Sequence, residues 1–273
     1  MTDRLAALLE HFSVSAHVFH TGALCGVNEL DGAGATGQLH LIQRGMVEVQ
    51  HGGMTALHVS HPSLLLYPRP MAHRFITDAE HGADFACAQL RFGGGAANPI
   101  AAALPPFSCL SLEELEGAGG VLSLLFDEAF KQNCGRQAML DRLFEVVLIQ
   151  VLRHLMEQGQ TQAGMLAGLS HPRLRNAMVA MHENPAQDWS LDTLAACAGM
   201  SRSVFARIFR ESVGCTPGLY LLRWRVGLAQ QSLLKGRPLK LIVHDVGYGS
   251  EAALSRAFKA QTGLSPRQWL LDQ

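Results

Sequence analysis

Two arginines hold matching places in a repeat, and their side chains suit chemistry with a polyanion. Residues Ser201–Pro217 align without a gap on Ser250–Pro266, an offset of 49 residues. Ser201 matches Ser250, Phe205 matches Leu254, Arg207 matches Arg256 and Phe209 matches Phe258. Arg210 matches Lys259, Gly214 matches Gly263, and Thr216-Pro217 matches Ser265-Pro266, with Tyr220 and Trp269 as equivalent aromatics beyond. Phe205 with Phe209, and Leu254 with Phe258, are i,i+4 pairs that share one buried face of a helix. Arg207 and Arg256 stand two residues past the first member of each pair, about 200° around the helix, facing solvent or a ligand. A guanidinium presents paired N–H donors that suit a phosphate or the O6 and N7 of guanine.

That chemistry needs helices with fixed ends. Ser201 and Ser250 are expected N-caps, since a serine oxygen accepts an orphan backbone N–H. Gly214 and Gly263 fit the left-handed residue that closes a helix, with proline soon after. A shorter helix precedes each copy. Ser190 caps Leu191 to Ala198, with Leu194, Ala195 and Ala198 inward, Gly199 turning and Met200 plugging the junction. Leu239 to Val246 leads into Gly247-Tyr248-Gly249. Helix, glycine turn, then a helix with an exposed arginine is a helix-turn-helix pattern. Between the copies, Leu219, Leu222, Val226, Ala229 and Leu233 recur at helical spacing from Pro217 to Lys235, and Gly236 ends the run. About 18 residues rising 1.5 Å each span roughly 27 Å. The distance approaches the roughly 34 Å between major-groove faces on one side of a duplex.

The charge distribution agrees with such a partner. The net charge is −1, yet from His171 onward there are 13 basic and 7 acidic residues, while residues 1–170 hold 9 and 16. This asymmetry suits a polyanion-binding half joined to a non-binding half. The 273 residues are 48% hydrophobic and 16% charged, enough apolar surface for one large or two ordinary domains and too little charge for a disordered chain. No apolar run reaches the roughly 18 residues that span a bilayer, and Met1–Leu5 lacks the apolar stretch of a secretory signal. The expectation is a cytoplasmic protein with no membrane partner and six reduced cysteines. They form no CxxC pair, which argues against a zinc ribbon.

The N-terminal half reads differently. Gln38–Gln43, Met46–Gln50, Met54–Val59, Ser63–Tyr67 and Asp84–Phe92 are short runs, with a hairpin turn at His51-Gly52-Gly53 and a close at Gly93-Gly94-Gly95. Six or more such strands in about 80 residues predict a small barrel or jelly roll. Pro99–Pro106 is a turn-rich exit. Leu110–Phe130 and Gln137–Gln158 are predicted helices. In the second, Leu140, Phe144, Val147, Leu148, Val151 and Leu155 make an apolar stripe that packs either on the barrel or on a second copy. Gln158–Ser170 reads as a linker, where a hinge would let the barrel alter the helical half.

With these motifs in place, residues 171–273 resemble the DNA-binding domain of the AraC/XylS family of transcription regulators. Ile242-Val243, Val246-Gly247-Tyr248, Phe258-Lys259, Gly263-Leu264-Ser265-Pro266 and Trp269 follow the family signature, with Val243, Tyr248 and Trp269 as size-compatible departures. The resemblance implies double-stranded DNA as partner, with the longer helix of each unit in the major groove. It turns Ser203, Ala206, Arg207 and Arg210 of the first unit toward DNA, and Glu251, Ala252, Ser255, Arg256 and Lys259 of the second. Arg207 and Arg256 are the candidates for base edges; Ser201, Arg202, Ser250 and Lys259 are candidates for phosphates. Family resemblance also implies RNA polymerase as a partner if the chain is an activator, and a homodimer formed through the central helices.

Two further segments, Leu39–Gly45 and Leu65–His73, resemble the cupin sensor domains fused to many such regulators. Pro70 stands where the cupin Pro-x-Gly-x-x-His pattern has glycine, and there is no His-x-His. A catalytic metal cupin needs about three ligands and an open position, so a cupin-type metal-dependent enzyme is the lesser reading. His40 and His73 remain candidates to meet inside the barrel on an effector or metal ion, or as hydrogen-bonded barrel histidines; no cofactor is certain. Cys25 and Cys87 are the candidate redox pair, because a thiolate beside His20, His40 or His73 would have a lowered pKa. The expected fold is α+β: a cupin-like barrel (1–105), connecting or dimerisation helices and linker (106–170), and an all-α double helix-turn-helix domain (171–273). The expected function is sequence-specific transcription regulation under a small-molecule, metal or oxidant signal, rather than enzymatic. A constitutive DNA-architectural role is the third reading.

Overall fold

Alternation in the N-terminal half builds nine strands among the described residues of a computed structural model, which describes residues 3–32, 34, 36–53, 55–93, 98–158 and 163–272. They are β1 (Val14–Leu24), β2 (Val27–Leu30), β3 (Gly37–Arg44), β4 (Val47–His51), β5 (Leu57–Val59), β6 (Ser63–Tyr67), β7 (His73–Thr77), β8 (Ala83–Phe92) and β9 (Ser108–Ser111). One antiparallel sheet has the order β1-β8-β3-β6-β9 and the other β2-β7-β4-β5. Ile42, Leu65, Phe85 and Cys87 from the first sheet and Val47, Val49 and Phe75 from the second form one buried cluster. This is the cupin-like arrangement that the sequence predicts. The Met54–Val59 strand is shorter than expected, starting at Leu57; Met54, Gly94 and Gly95 lie outside the described residues.

Two helices belong to this unit, α3 (Gly119–Ala129) and α4 (Arg136–Glu157). β1 is the outermost strand of its sheet, and an unpaired edge invites association with other chains. Side chains of α4 occupy that edge. The Asp141 carboxylate accepts the Val18 N–H at 2.8 Å, and the Gln137 amide donates to the Val18 carbonyl at 2.9 Å. Arg136 donates to the Thr21 hydroxyl at 2.5 Å and to the Ala129 carbonyl at 2.6 Å. These contacts flank the point where the β1–β8 register shifts, between Val18 and His20. The apolar stripe Leu140, Phe144, Val147, Leu148, Val151 and Leu155 is buried, so it is not a free face for a second copy. The Leu110–Phe130 helix expectation is corrected too: Leu110 belongs to β9, paired with Leu64 of β6, a short 3-10 turn follows, and the helix starts only at Gly119.

The second unit is assembled from Met1–Ser13, Ala97–Ala103 and Gly159–Gln273. Its elements are α1 (Ala6–His11), α2 (Pro99–Ala103), α5 (Met165–Ser170), α6 (Leu174–Glu183), α7 (Leu191–Cys197), α8 (Arg202–Val213), α9 (Pro217–Leu234), α10 (Leu239–Asp245), α11 (Glu251–Thr262) and α12 (Pro266–Leu271). The units therefore cut the chain differently from bounds at 105 and 170, because packing rather than sequence order groups the segments. Leu5, Leu8 and Phe12 are buried. The Phe12 ring lies 5.1 Å from the Trp224 ring and against Gly227. Burying each such side chain contributes about 1.5–3 kcal/mol before entropy is counted. The expected linker Gln158–Ser170 is in part helix α5, whose Gly168 sits against Met178 and Val213 with no room for a side chain; its residues 159–162 lie outside the described residues.

Candidate DNA interface and barrel site

The repeat in the sequence is a repeat in structure. α8 and α11 are each 12 residues long and each ends on a left-handed glycine, Gly214 and Gly263, both at φ 80°. Phe205 and Phe209, like Leu254 and Phe258, are fully buried. Phe209 meets Tyr220 edge-on at 5.6 Å, and Phe258 meets Trp269 edge-on at 5.7 Å. Each unit thus locks its longer helix onto the next helix through the same aromatic pair. Ser190 forms a full capping box with Thr193, and Ser250 accepts the Ala253 N–H at 3.2 Å. Ser201 occupies the matching N-cap position but makes no side-chain cap bond, so the cap expected there is not formed. In the linking helix α9, Val226, Ala229 and Leu233 are buried as expected and Leu222 is half-buried, but Leu219 is exposed, and the buried side also includes Tyr220, Leu221, Trp224 and Leu228.

The twelve DNA-facing candidates stay off the core. Ser201, Arg202, Ser203, Arg207, Arg210, Ser250, Glu251, Ala252, Arg256 and Lys259 are exposed; Ala206 and Ser255 are half-buried. Electrostatics separate the arginines. Arg207 donates to both carboxylate oxygens of Glu211, at 3.1 and 3.0 Å, and Arg202 pairs with Asp192 at 3.5 Å. Arg210, Arg256 and Lys259 have no ion-pair partner among the described residues. Glu211 and Asp192 were not singled out in the sequence, although the i,i+4 spacing of Arg207 and Glu211 is a usable signal. Arg225 was also missed: it donates to the carbonyls of Pro185 and Gln187 and lies over the Tyr248 ring at 5.8 Å, tying the loop before α7 to the second unit's turn. Beneath α9, His182 accepts or donates at 2.7 Å to Tyr220 and stacks on Trp224 at 3.9 Å. Burial, with His11 nearby, pushes its pKa down to about 3.

In the barrel the two sequence-picked histidines do meet. His40 Nε2 lies 3.1 Å from His73 Nε2 and 3.1 Å from the Gln38 amide oxygen. His73 Nδ1 is 2.8 Å from the Met71 carbonyl, which can only accept, so the His73 proton sits on Nδ1 and its Nε2 is an acceptor. His40 then presents Nε2–H, leaving its buried Nδ1 without a partner. Burial holds His40 well below the usual histidine range, with the His73 and His20 rings adding to the effect, and burial brings His73 to about 4. His51 and Tyr67 complete the cluster, with His51 Nε2 2.8 Å from the Tyr67 hydroxyl and Tyr67 stacked on His73 at 4.0 Å. A pocket of about 540 Å³ opens beside them, lined by His51, His73, Gln50, Glu29, Asp31 and Arg74 among others. Gln38, His51 and Tyr67 were not read from sequence, since only the strand pairing brings them together.

The candidate cysteine pair is not brought together. Cys25 is exposed just past the Leu24–Ala83 register pair, whereas Cys87 lies four residues further along β8, roughly 13 Å at 3.3 Å per residue. A disulfide needs Cα atoms within about 7 Å. Burial pushes the Cys87 thiol up, contrary to the lowered pKa expected beside the histidines. Cys87 is a core residue in register with His40. The three-ligand centre of a metal cupin does not fit either: among the described residues no group of three His, Cys, Asp or Glu side chains could hold a metal ion.

Known proteins with similar sequences carry the same two kinds of domain. A family model described as "Cupin" matches residues 3–157, and one described as "Helix-turn-helix domain" matches residues 194–271. The chain is 40% identical over 153 residues to an AraC-like transcription regulator of Streptomyces antibioticus, covering 55% of this chain and 50% of that protein. It is 39% identical over 137 residues to the HTH-type transcriptional regulator AlkR of Acinetobacter baylyi, covering 50% and 44%. The chain thus matches about half the length of these curated relatives. Among solved structures, ToxT of Vibrio cholerae is similar with a TM-score of 0.41 at 11% identity, covering 96% of this chain and 98% of that one. No helix among the described residues is long and apolar enough to cross a membrane. With a cupin match over more than half of its length, this chain belongs to the cupin family, and a helix-turn-helix match lies beyond it in the segment similar to AraC-like transcription regulators.

Proposed function

We propose that the chain is a sequence-specific DNA-binding transcription regulator that answers to a small molecule held in its barrel. The observation that carries the DNA half is the duplicated helix of 12 residues, anchored by the same aromatic pair and presenting Arg207 or Arg256 outward. α9, with 18 residues, spaces the two units by roughly 27 Å. Base-edge contacts fall to Arg207 and Arg256, and phosphate contacts to Arg202, Lys259 and the serines at the helix starts.

For the signal, the pocket beside His51 and His73 supports a small-molecule effector better than an oxidant or a metal. A thiol raised by burial is a poor nucleophile toward oxidants, and two imidazoles with Gln38 as third neighbour are a poor metal set. A homodimer, and contact with RNA polymerase in activation, belong to the same reading. The α4 stripe does not support the dimer, because it is already buried.

The test is selection of binding sequences from a random duplex library by the full chain, followed by titration of the selected duplex against a scrambled one. The reading expects preference of about 10³-fold or more. Equal affinity for both duplexes would return the chain to an architectural role.

A further inference from the structure

A pocket of about 300 Å³ lies in the first helix-turn-helix unit and shares no lining residue with the barrel pocket. Its walls are apolar: Leu191 and Leu194 from α7, Pro217 and Leu221 from α9, and the half-buried Trp189 ahead of α7. Two residues of the DNA-facing helix, Ala206 and Arg210, close one side. Arg210 is exposed and has no ion-pair partner among the described residues. The remaining wall includes Gly218 and Thr216 at the start of α9.

Gly218 is informative because neither backbone nor neighbours demand a glycine there. Its φ is not in the left-handed region, and an added Cβ would meet nothing within 4 Å. Glycine inside a helix is also unfavourable relative to almost any other residue. The second unit has Arg267 at the matching place, 49 residues on, and Arg237 where the first has Trp189, counted from the turn glycines Gly247 and Gly199. The helix-turn-helix architecture therefore does not require this cavity. The first unit has glycine and tryptophan where the second has Arg267 and Arg237, the latter paired with Asp245.

We infer that this pocket binds a small organic anion with an apolar body, an aromatic or short aliphatic carboxylate. The body fills the leucine and tryptophan walls, and the carboxylate takes the guanidinium of Arg210. A bare phosphate is a poorer occupant, since its strongly hydrated charge gains nothing from apolar walls. Binding itself does not depend on the DNA reading. Its consequence does: an occupied pocket withdraws Arg210 from DNA and loosens the first unit's grip.

The experiment is calorimetric titration of the full chain, without DNA, with 2-naphthoate and octanoate as probes. At least one binds saturably with one site per chain. Arg210→Gln, and replacement of naphthoate by the neutral 2-naphthalenemethanol, each weaken binding about tenfold or more. Gly218→Arg abolishes it, and inorganic phosphate does not compete. The proposal fails if neither probe saturates below about 10 mM, if phosphate competes as well as naphthoate, or if Gly218→Arg binds like the parent. Should Gly218→Arg lower the unfolding temperature, Trp189→Phe replaces it. Naphthoate then shifts indole emission in the parent and leaves that of Trp189→Phe unmoved; an equal shift in both overturns the site. With a selected duplex present, naphthoate weakens DNA binding of the parent and not of Gly218→Arg. Loss of that last effect alone would count against the DNA coupling and leave the pocket standing.

Discussion

Arg207 and Arg256 hold equivalent positions in unequal surroundings. Arg207 shares its charge with Glu211 one turn on, an exposed pair worth about 0.3–0.5 kcal/mol. Arg256 has Ala260 at that place and keeps its donors free. Arg256→Ala is expected to cost about 1–3 kcal/mol of binding and to relax preference at one base pair, read by titrating single-substituted duplexes. Unchanged affinity and unchanged preference would remove Arg256 from the reading set. Glu211→Gln, by contrast, is expected to raise affinity a few-fold for all duplexes alike, since it frees Arg207 and removes a negative charge near phosphate. The buried histidines give a second prediction. His73 titrates at about 4 and His182 at about 3, with His40 also lowered, against 6.5 in the unfolded chain. Between pH 6.5 and about 3 the unfolded chain holds more protons, so stability is full above 6.5 and falls as pH drops through that window. Urea midpoints at pH 7.5, 5.5 and 4.5 should decrease in that order, and His182→Phe should flatten the slope; midpoints that hold constant would contradict the burial of neutral rings.

Among the elements, α4 does two jobs with two faces. Its apolar stripe is buried, while Gln137, Asp141 and Glu145 satisfy the outer edge of β1. Asp141→Ala leaves the Val18 N–H and its neighbours without that acceptor, and is expected to cost about 1–3 kcal/mol, measured by chemical denaturation, with Asp141→Asn costing less. A larger tendency to associate through β1 should accompany the alanine change and appear in light scattering. The same helix shows why some elements were legible in sequence and others were not. α8 and α11 carry their own evidence, since the buried i,i+4 pair, closing glycine and following proline all lie within 17 residues. β6 was equally plain because it is buried at all five positions. β1 hides its period because polar side chains of α4 serve its edge, and its burial does not alternate cleanly. β9 looked helical because Leu110 and Leu112 stand before a real helix; only the partner strand β6 makes the segment extended. The His40–His73 meeting was legible from the family pattern, but Gln38, His51 and Tyr67 become neighbours through sheet register, which a single sequence does not carry.

For the molecule as a whole, the notable fact is that the helix-turn-helix unit borrows its first helix from the other end of the chain. Leu8 and Phe12 are almost wholly buried, and Leu5 is buried too. Phe12→Ala is expected to cost about 3–5 kcal/mol, and hydrogen exchange should locate the loss in α6 and α9 rather than in the barrel strands. Protection lost equally in β3 and β8 would refute that assignment. Gly227→Ala, whose added carbon would lie 3.1 Å from the Phe12 ring, should destabilise the same helices by a smaller amount. The arrangement also sets a timetable at the ribosome. Residues 3–12 are made roughly 160–210 residues before the helices α6 and α9 that pack on them, a wait of about 8–40 s at ordinary synthesis rates. During that interval Leu5, Leu8 and Phe12 have no core to enter, while the strands that follow can already pair. The barrel is thus free to finish first, and an exposed apolar segment, open to chaperones, marks every unfinished copy until α6 and α9 are translated.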